Sequence, residues 1–170
     1  MTYFIADEPV ETSWRHLVVA PSGPLLAEML CGSWLSLPWF AFNAVAMGSP
    51  TKRREIGLCV LAVAVTAVLG YTVLALREHG VIESTTVLRF AFLGIVTWKL
   101  TIAYVIHTLQ SRTFHVYEYY GGPVRSASYA ISTGFLLRGV VLGLSDDPLW
   151  IIIVSGVPGI SGVPGASGGA

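Results

Sequence analysis

Charged side chains are missing from two long stretches of the chain. Ile56–Leu76 is a run of 21 residues without Asp, Glu, Lys or Arg, bounded by Glu55 and Arg77. Met29–Thr51 is a second run of similar length. About 20 apolar residues at about 1.5 Å rise cover the hydrocarbon core of a bilayer. The pattern predicts an all-α fold, a polytopic membrane helical bundle with four transmembrane helices. The spans fall at about residues 24–48, 56–76, 85–109 and 126–144. Gly48-Ser49-Pro50 ends the first, because Gly suits the position after a helix and Pro cannot continue one. Thr51 is then an N-cap for the second span. Gly80 and Gly121-Gly122-Pro123 mark the next two turns. Pro38 is expected to kink the first span.

Two segments flank this 24–145 membrane domain. Residues 1–23 form an acidic segment without a basic stretch before an apolar core, so no cleaved signal peptide is expected. Residues 146–170 begin with the apolar Leu149–Val154, which is too short to span. Two placements are open to it, in the outer interface or back in the bundle. Gly156-Val-Pro-Gly-Ile-Ser and Gly162-Val-Pro-Gly-Ala-Ser then form an imperfect six-residue repeat. So Gly-rich a tail leaves little to pack, and Gly156–Ala170 is expected to be disordered.

Composition agrees with a lipid environment. Hydrophobic residues make up 54% of the chain and charged ones 12%, where a soluble domain carries about 25%. The formal net charge of zero argues against a nucleic-acid partner. Lys52, Arg53, Arg54, Arg112 and Arg125 fall on one side of the predicted bundle, Arg15 and Arg77 on the other. Excess Lys and Arg mark the cytoplasmic side, so both termini are expected to be extracytoplasmic, in a bacterial inner (plasma) membrane. Size and hydropathy resemble those of small multi-pass bacterial membrane proteins.

Three cations fall inside predicted spans. Arg89 is one turn into the third, Lys99 is near its middle, and Arg138 is in the fourth. Glu28, at the outer end of the first span, is the one carboxylate near their level. Intramembrane charges are candidates for function, because they are expensive to keep there. For Arg89 and Arg138 the competing account is snorkelling to the interface; Lys99 is too deep for that. The small residues Ala130, Gly134, Gly139 and Gly143 make candidate helix-packing positions on the fourth span, and Ala62, Thr66 and Gly70 a similar ridge on the second.

Other chemistry is sparse. His16, His79, His107 and His115 do not form a haem or metal spacing, so no metal or cofactor is expected. Cys31 and Cys59 read as core residues at different depths, too far apart for a disulfide. The aromatic segment Phe114–Tyr120 reads as a cytoplasmic loop at headgroup level. Gly-x-Ser-Gly letters occur only in the low-complexity tail. With no catalytic constellation, the expectation is a non-enzymatic bundle that binds an anionic lipid, a small anion or a membrane partner. The alternative is an oligomeric transporter or channel subunit, in which four spans per copy favour a homo-oligomer.

Overall fold

The computed structural model describes residues 12–155. Among these the protein is all-α, with six α-helices and no strand. The helices are α1 (Ser22–Leu30), α2 (Ser33–Ala46), α3 (Lys52–Glu78), α4 (Thr85–Tyr119), α5 (Ser128–Leu142) and α6 (Pro148–Ser155). The predicted tail disorder, at Gly156–Ala170, lies outside the described residues, as do residues 1–11 of the acidic N-terminal segment.

Among the described residues two helices are long and apolar enough to cross a membrane, α3 with 27 residues and α4 with 35. They form an antiparallel pair joined by the turn at Gly80, whose φ of 73° only glycine adopts readily. Ala62, Thr66 and Gly70 of α3 are all buried, so its small-residue ridge faces inward. At about 1.5 Å per residue α4 is roughly 52 Å long, well beyond one hydrocarbon core. Its last turns are the aromatic segment expected as a loop. That expectation is corrected for a clear reason: Phe114 and Tyr117, three residues apart, share a helix face and pack with Val18, Ala46 and Met47.

The first predicted span is not one continuous helix. It is two helices, broken at Cys31-Gly32 and folded back as a hairpin. Gly32 adopts φ 99°, and its amide bonds the Ala27 carbonyl at 3.0 Å, which closes α1. Pro38, the expected kink, lies inside α2 without ending it. Both outer ends of the hairpin meet. The Asn43 side chain accepts from the Val19 amide at 3.1 Å and donates to the Val19 carbonyl at 2.9 Å. Gln110 of α4 donates to the Phe40 carbonyl at 2.7 Å and lies 3.4 Å from Asn43 Nδ2. The Asn43 bonds satisfy both backbone groups of Val19, which burial would otherwise leave unpaired.

The hairpin places residues 12–21 at the end of the bundle carrying Lys52–Arg54, called the basic end below. Thr12 Oγ1 donates to the Ala46 carbonyl at 2.6 Å, Tyr117 Oη to the Arg15 carbonyl at 2.9 Å, and Arg125 Nε to the His16 carbonyl at 3.1 Å. Arg15 was expected on the side opposite Lys52–Arg54; it lies on the same side, because the first apolar run reverses midway.

The fourth predicted span is α5, with 15 residues and so about 22 Å. It climbs beside α1 from the basic end. Trp150 Nε1 then donates to the Val141 carbonyl at 3.0 Å, where the chain turns into α6. The segment Leu149–Val154 thus returns into the bundle as a helix. Ile152 and Val154 are buried, and Ile152 joins Leu88, Phe92 and Ile95 in the core. Valine and isoleucine favour strands in isolation, yet a lone strand here would leave its backbone unpaired.

Candidate functional site

The hairpin tip and the end of α6 meet halfway along α3 and α4, and this is where Lys99 and Glu28 come together. Lys99 Nζ lies 4.0 Å from Glu28 Oε1, and both side chains are almost fully buried. Lys99 also donates to the Ile153 carbonyl at 3.0 Å. Ser33 Oγ donates to Glu28 Oε1 at 2.6 Å, the length of a charge-assisted bond. The second carboxylate oxygen, Oε2, is buried without a hydrogen-bond partner.

Each charge faces a helix end of matching polarity. Carbonyls at the end of a helix carry partial negative charge and amides at its start partial positive charge. Lys99 meets the last turn of α6. Glu28 meets the start of α2 at Ser33. Arg138 donates through Nη1 to the Leu30 carbonyl at 3.1 Å, the last residue of α1. The sequence dictates this geometry through glycine. A Cβ on Gly32 would run into the Val154 carbonyl oxygen, so only glycine lets the hairpin tip and α6 approach this closely.

At 4 Å and an effective dielectric near 20, a unit-charge pair gains about 4 kcal/mol, whereas burying each ion costs several. The pair therefore contributes little net stability, and either partner alone would be a strong liability. Space adjoins it on two sides. A cavity of about 180 Å³ is lined by Glu28, Met29, Val96, Lys99, Leu100 and Ser155, with room for several waters or one small solute. On the other side of Lys99 lies a void of about 10 Å³, the size of one water, bordered by Ser33, Thr66 and Ile153. Ser33, Leu37, Val63 and Ile153 also line an apolar groove of about 590 Å³ between α2, α3 and α6.

Of the candidate residues, the structure brings together Glu28 and Lys99, with Arg138 beside them on the end of α1. Arg89 is exposed on α4, ten residues or about 15 Å along the helix from Lys99. Gly134 is buried against Cys31 and Leu35. Ala130 is exposed, Gly139 has no neighbour within 4 Å, and Gly143 meets only the backbone of its own helix. Cys31 and Cys59 are both free and buried. Among the described residues no group of His, Cys, Asp and Glu could hold a metal ion by clustering of three or more.

The site includes groups that composition does not reveal. Ser33 and the Ile153 carbonyl become visible only once the hairpin and α6 are folded. Asn43 and Gln110, uncharged and fully buried at the basic end, were not singled out; the one sequence signal was a lone amide, Asn43, within the charge-free run 29–51. No family model, curated protein or solved structure matches the chain.

Proposed function

We propose that this chain is a multi-pass, non-enzymatic membrane protein that works as a transporter or channel subunit. Its ionisable centre is the Glu28–Lys99 pair. The observation that supports this reading is the meeting, at mid-depth, of two elements that each enter only halfway. The α1–α2 hairpin enters from the basic end and α6 from the opposite end, and their helix ends converge on a buried ion pair with space beside it. Interrupted helices whose ends face charges near the midplane are the usual construction of ion and solute sites in transporters. In this reading α3, α4 and α5 pass through the bilayer and α1–α2 does not. The basic end, with Arg15, Lys52, Arg53, Arg54, Arg112 and Arg125, faces the cytoplasm of a bacterial inner membrane. The unfilled face of α5 at Gly139, continued by Gly143 just past its end, suits contact with another copy.

Binding of an anionic lipid headgroup or an acidic membrane partner is the second reading. It draws on Arg89, which is exposed one turn from the start of α4. Lys99 no longer supports it, because Glu28 and the Ile153 carbonyl answer its charge.

Water access separates the two. In a Cys31→Ala, Cys59→Ala background, Val96→Cys lines the cavity beside Lys99, while Leu93→Cys lies on the exposed apolar surface of α4. A membrane-impermeant thiol reagent should label the first and spare the second in proteoliposomes. Equal protection of both would mean that the cavity is sealed by lipid, and the transport reading would fall.

A further inference from the structure

A second buried carboxylate lies at the basic end, away from the Glu28–Lys99 site. Glu55, in the first turn of α3, is 0% exposed. Ser49 Oγ and Thr51 Oγ1 each donate to its Oε1 at 2.6 Å. Both bonds are at the short end of the hydroxyl–carboxyl range. Oε2 is buried and has no partner. The hydroxyl of Thr113, on α4, stands 3.4 Å from Ser49 Oγ. Among the described residues no ion pair reaches Glu55, and its neighbours Lys52, Arg53 and Arg54 are exposed.

A charge buried in this way has to be met by something. The start of α3 favours a carboxylate, and the three outward cations add a long-range field. These effects are smaller than the cost of burying an uncompensated ion. What remains is an oxygen-only set: two carboxylate oxygens and the hydroxyls of Ser49, Thr51 and Thr113. Ser49 Oγ also accepts the Thr51 amide at 3.2 Å and lies 3.0 Å from Thr51 Oγ1, so what the hydroxyls can offer an ion is one remaining lone pair on Ser49 together with those of Thr51 and Thr113. Oxygen donors select hard cations, and a single carboxylate balances one positive charge, not two. The set is drawn from the α2–α3 turn, α3 and α4, so an ion here would tie the hairpin to both long helices.

We propose that Glu55, Ser49, Thr51 and Thr113 form a site for a monovalent alkali cation, with Glu55 Oε2 as its charged ligand. The site is independent of the transport reading and holds whether or not the Glu28–Lys99 pair conducts anything. The test is thermal unfolding of the full chain in mild detergent, at constant ionic strength. Sodium or potassium chloride is compared with the chloride of N-methyl-D-glucamine, which is too bulky for the site. Wild type should melt higher in at least one alkali salt, with a saturable concentration dependence, since a ligand specific to the native state stabilises it by mass action. Glu55→Gln should abolish the difference. Should that variant fail to fold, Thr113→Val keeps the carboxylate and removes one oxygen, and should raise the half-saturating concentration by about fivefold or more, within the range of losing one contact of ordinary strength. Equal melting in all three salts would overturn the proposal and leave a proton as the counter-charge. So would a Thr113→Val protein with an unchanged salt response.

Discussion

The α3 helix and the α1–α2 hairpin draw on equally charge-free runs and do opposite things. Ile56–Leu76 continues as one helix from end to end. Met29–Thr51 is just as free of charge, yet it contributes the tip of a hairpin and one helix returning from it. The difference lies in Gly32 and in the polar groups placed to answer a broken backbone. A helix reversing inside a low-dielectric region must hand its free carbonyls and amides to partners. Lys99, Arg138, Asn43 and Gln110 all bond main-chain carbonyls on or next to the two half-length elements. The α3 helix needs no such help. An apolar run therefore reports that a segment is apolar enough for lipid, and says little about whether it forms one continuous helix.

Topology is the largest effect by which this contrast can be broken. A reporter placed before Thr12 and one in the turn at Gly121-Gly122 should report the same side, because Arg15 and Arg125 lie at one end. A reporter in the turn at Gly80 should report the other. If the first two disagree, residues 22–46 cross the membrane as a single span and the hairpin does not exist.

Next in size is the buried pair. Removing one member of such a pair strands the other charge and costs about 3–5 kcal/mol. Lys99→Leu and Glu28→Leu should each lose that much, measured by denaturant unfolding in mixed micelles. The double substitution should regain most of it. Val60→Ala, at a 63% exposed position of α3, should change stability by less than about 0.5 kcal/mol. A Lys99→Leu protein as stable as wild type would show that the lysine reaches water and is not buried against Glu28.

How far sequence reading reached follows from the same physics. The helical class, α3 and α4 were legible because the length and hydropathy of a predominantly apolar run are properties of composition alone. Lys99 and Glu28 were legible as candidates because charges are rare in such runs. Their pairing was not. Glu28 was placed at the outer end of a crossing helix, whereas the fold-back at Gly32 sets it at the level of Lys99. The helical state of Leu149–Val154 was hidden for a related reason. Its β-branched residues point to a strand, and only the Gly70 surface and the core around Ile152 decide for a helix. Glu55 was read as the boundary of a span, since nothing in the sequence shows that Ser49 and Thr113 close over it.

Gly32 ranks third. Alanine there would hold a φ of 99° that L-residues rarely adopt and would push its Cβ into the Val154 carbonyl. Strain of this kind costs about 1–3 kcal/mol. Because the clash is with α6, Gly32→Ala should also expose α6 selectively. Hydrogen exchange should speed up over Pro148–Ser155 and the hairpin tip, while the centre of α3 stays protected. Uniform loss of protection would mean that the tip and α6 are not a separable unit.

The smallest expected effects lie on α5, where two glycines five residues apart meet different surroundings. Gly134 is crowded, since a Cβ there would overlap the Leu35 methyl, forcing that side chain aside, and press on the Cys31 sulfur. Gly134→Ala should therefore destabilise the chain by about 1–3 kcal/mol through overpacking. Gly139 has nothing within 4 Å, so Gly139→Ala should leave the isolated chain unharmed and stabilise its helix by up to about 1 kcal/mol. That gain is small enough to reveal another partner. If copies of the chain pack through the Gly139 and Gly143 face, alanine separates the two helices. The substitution would then weaken the oligomer while the monomer gains. Sedimentation in density-matched detergent, run beside the unfolding curve, distinguishes these results. A monomeric wild type with a stabilised Gly139→Ala variant would show that this face meets only lipid.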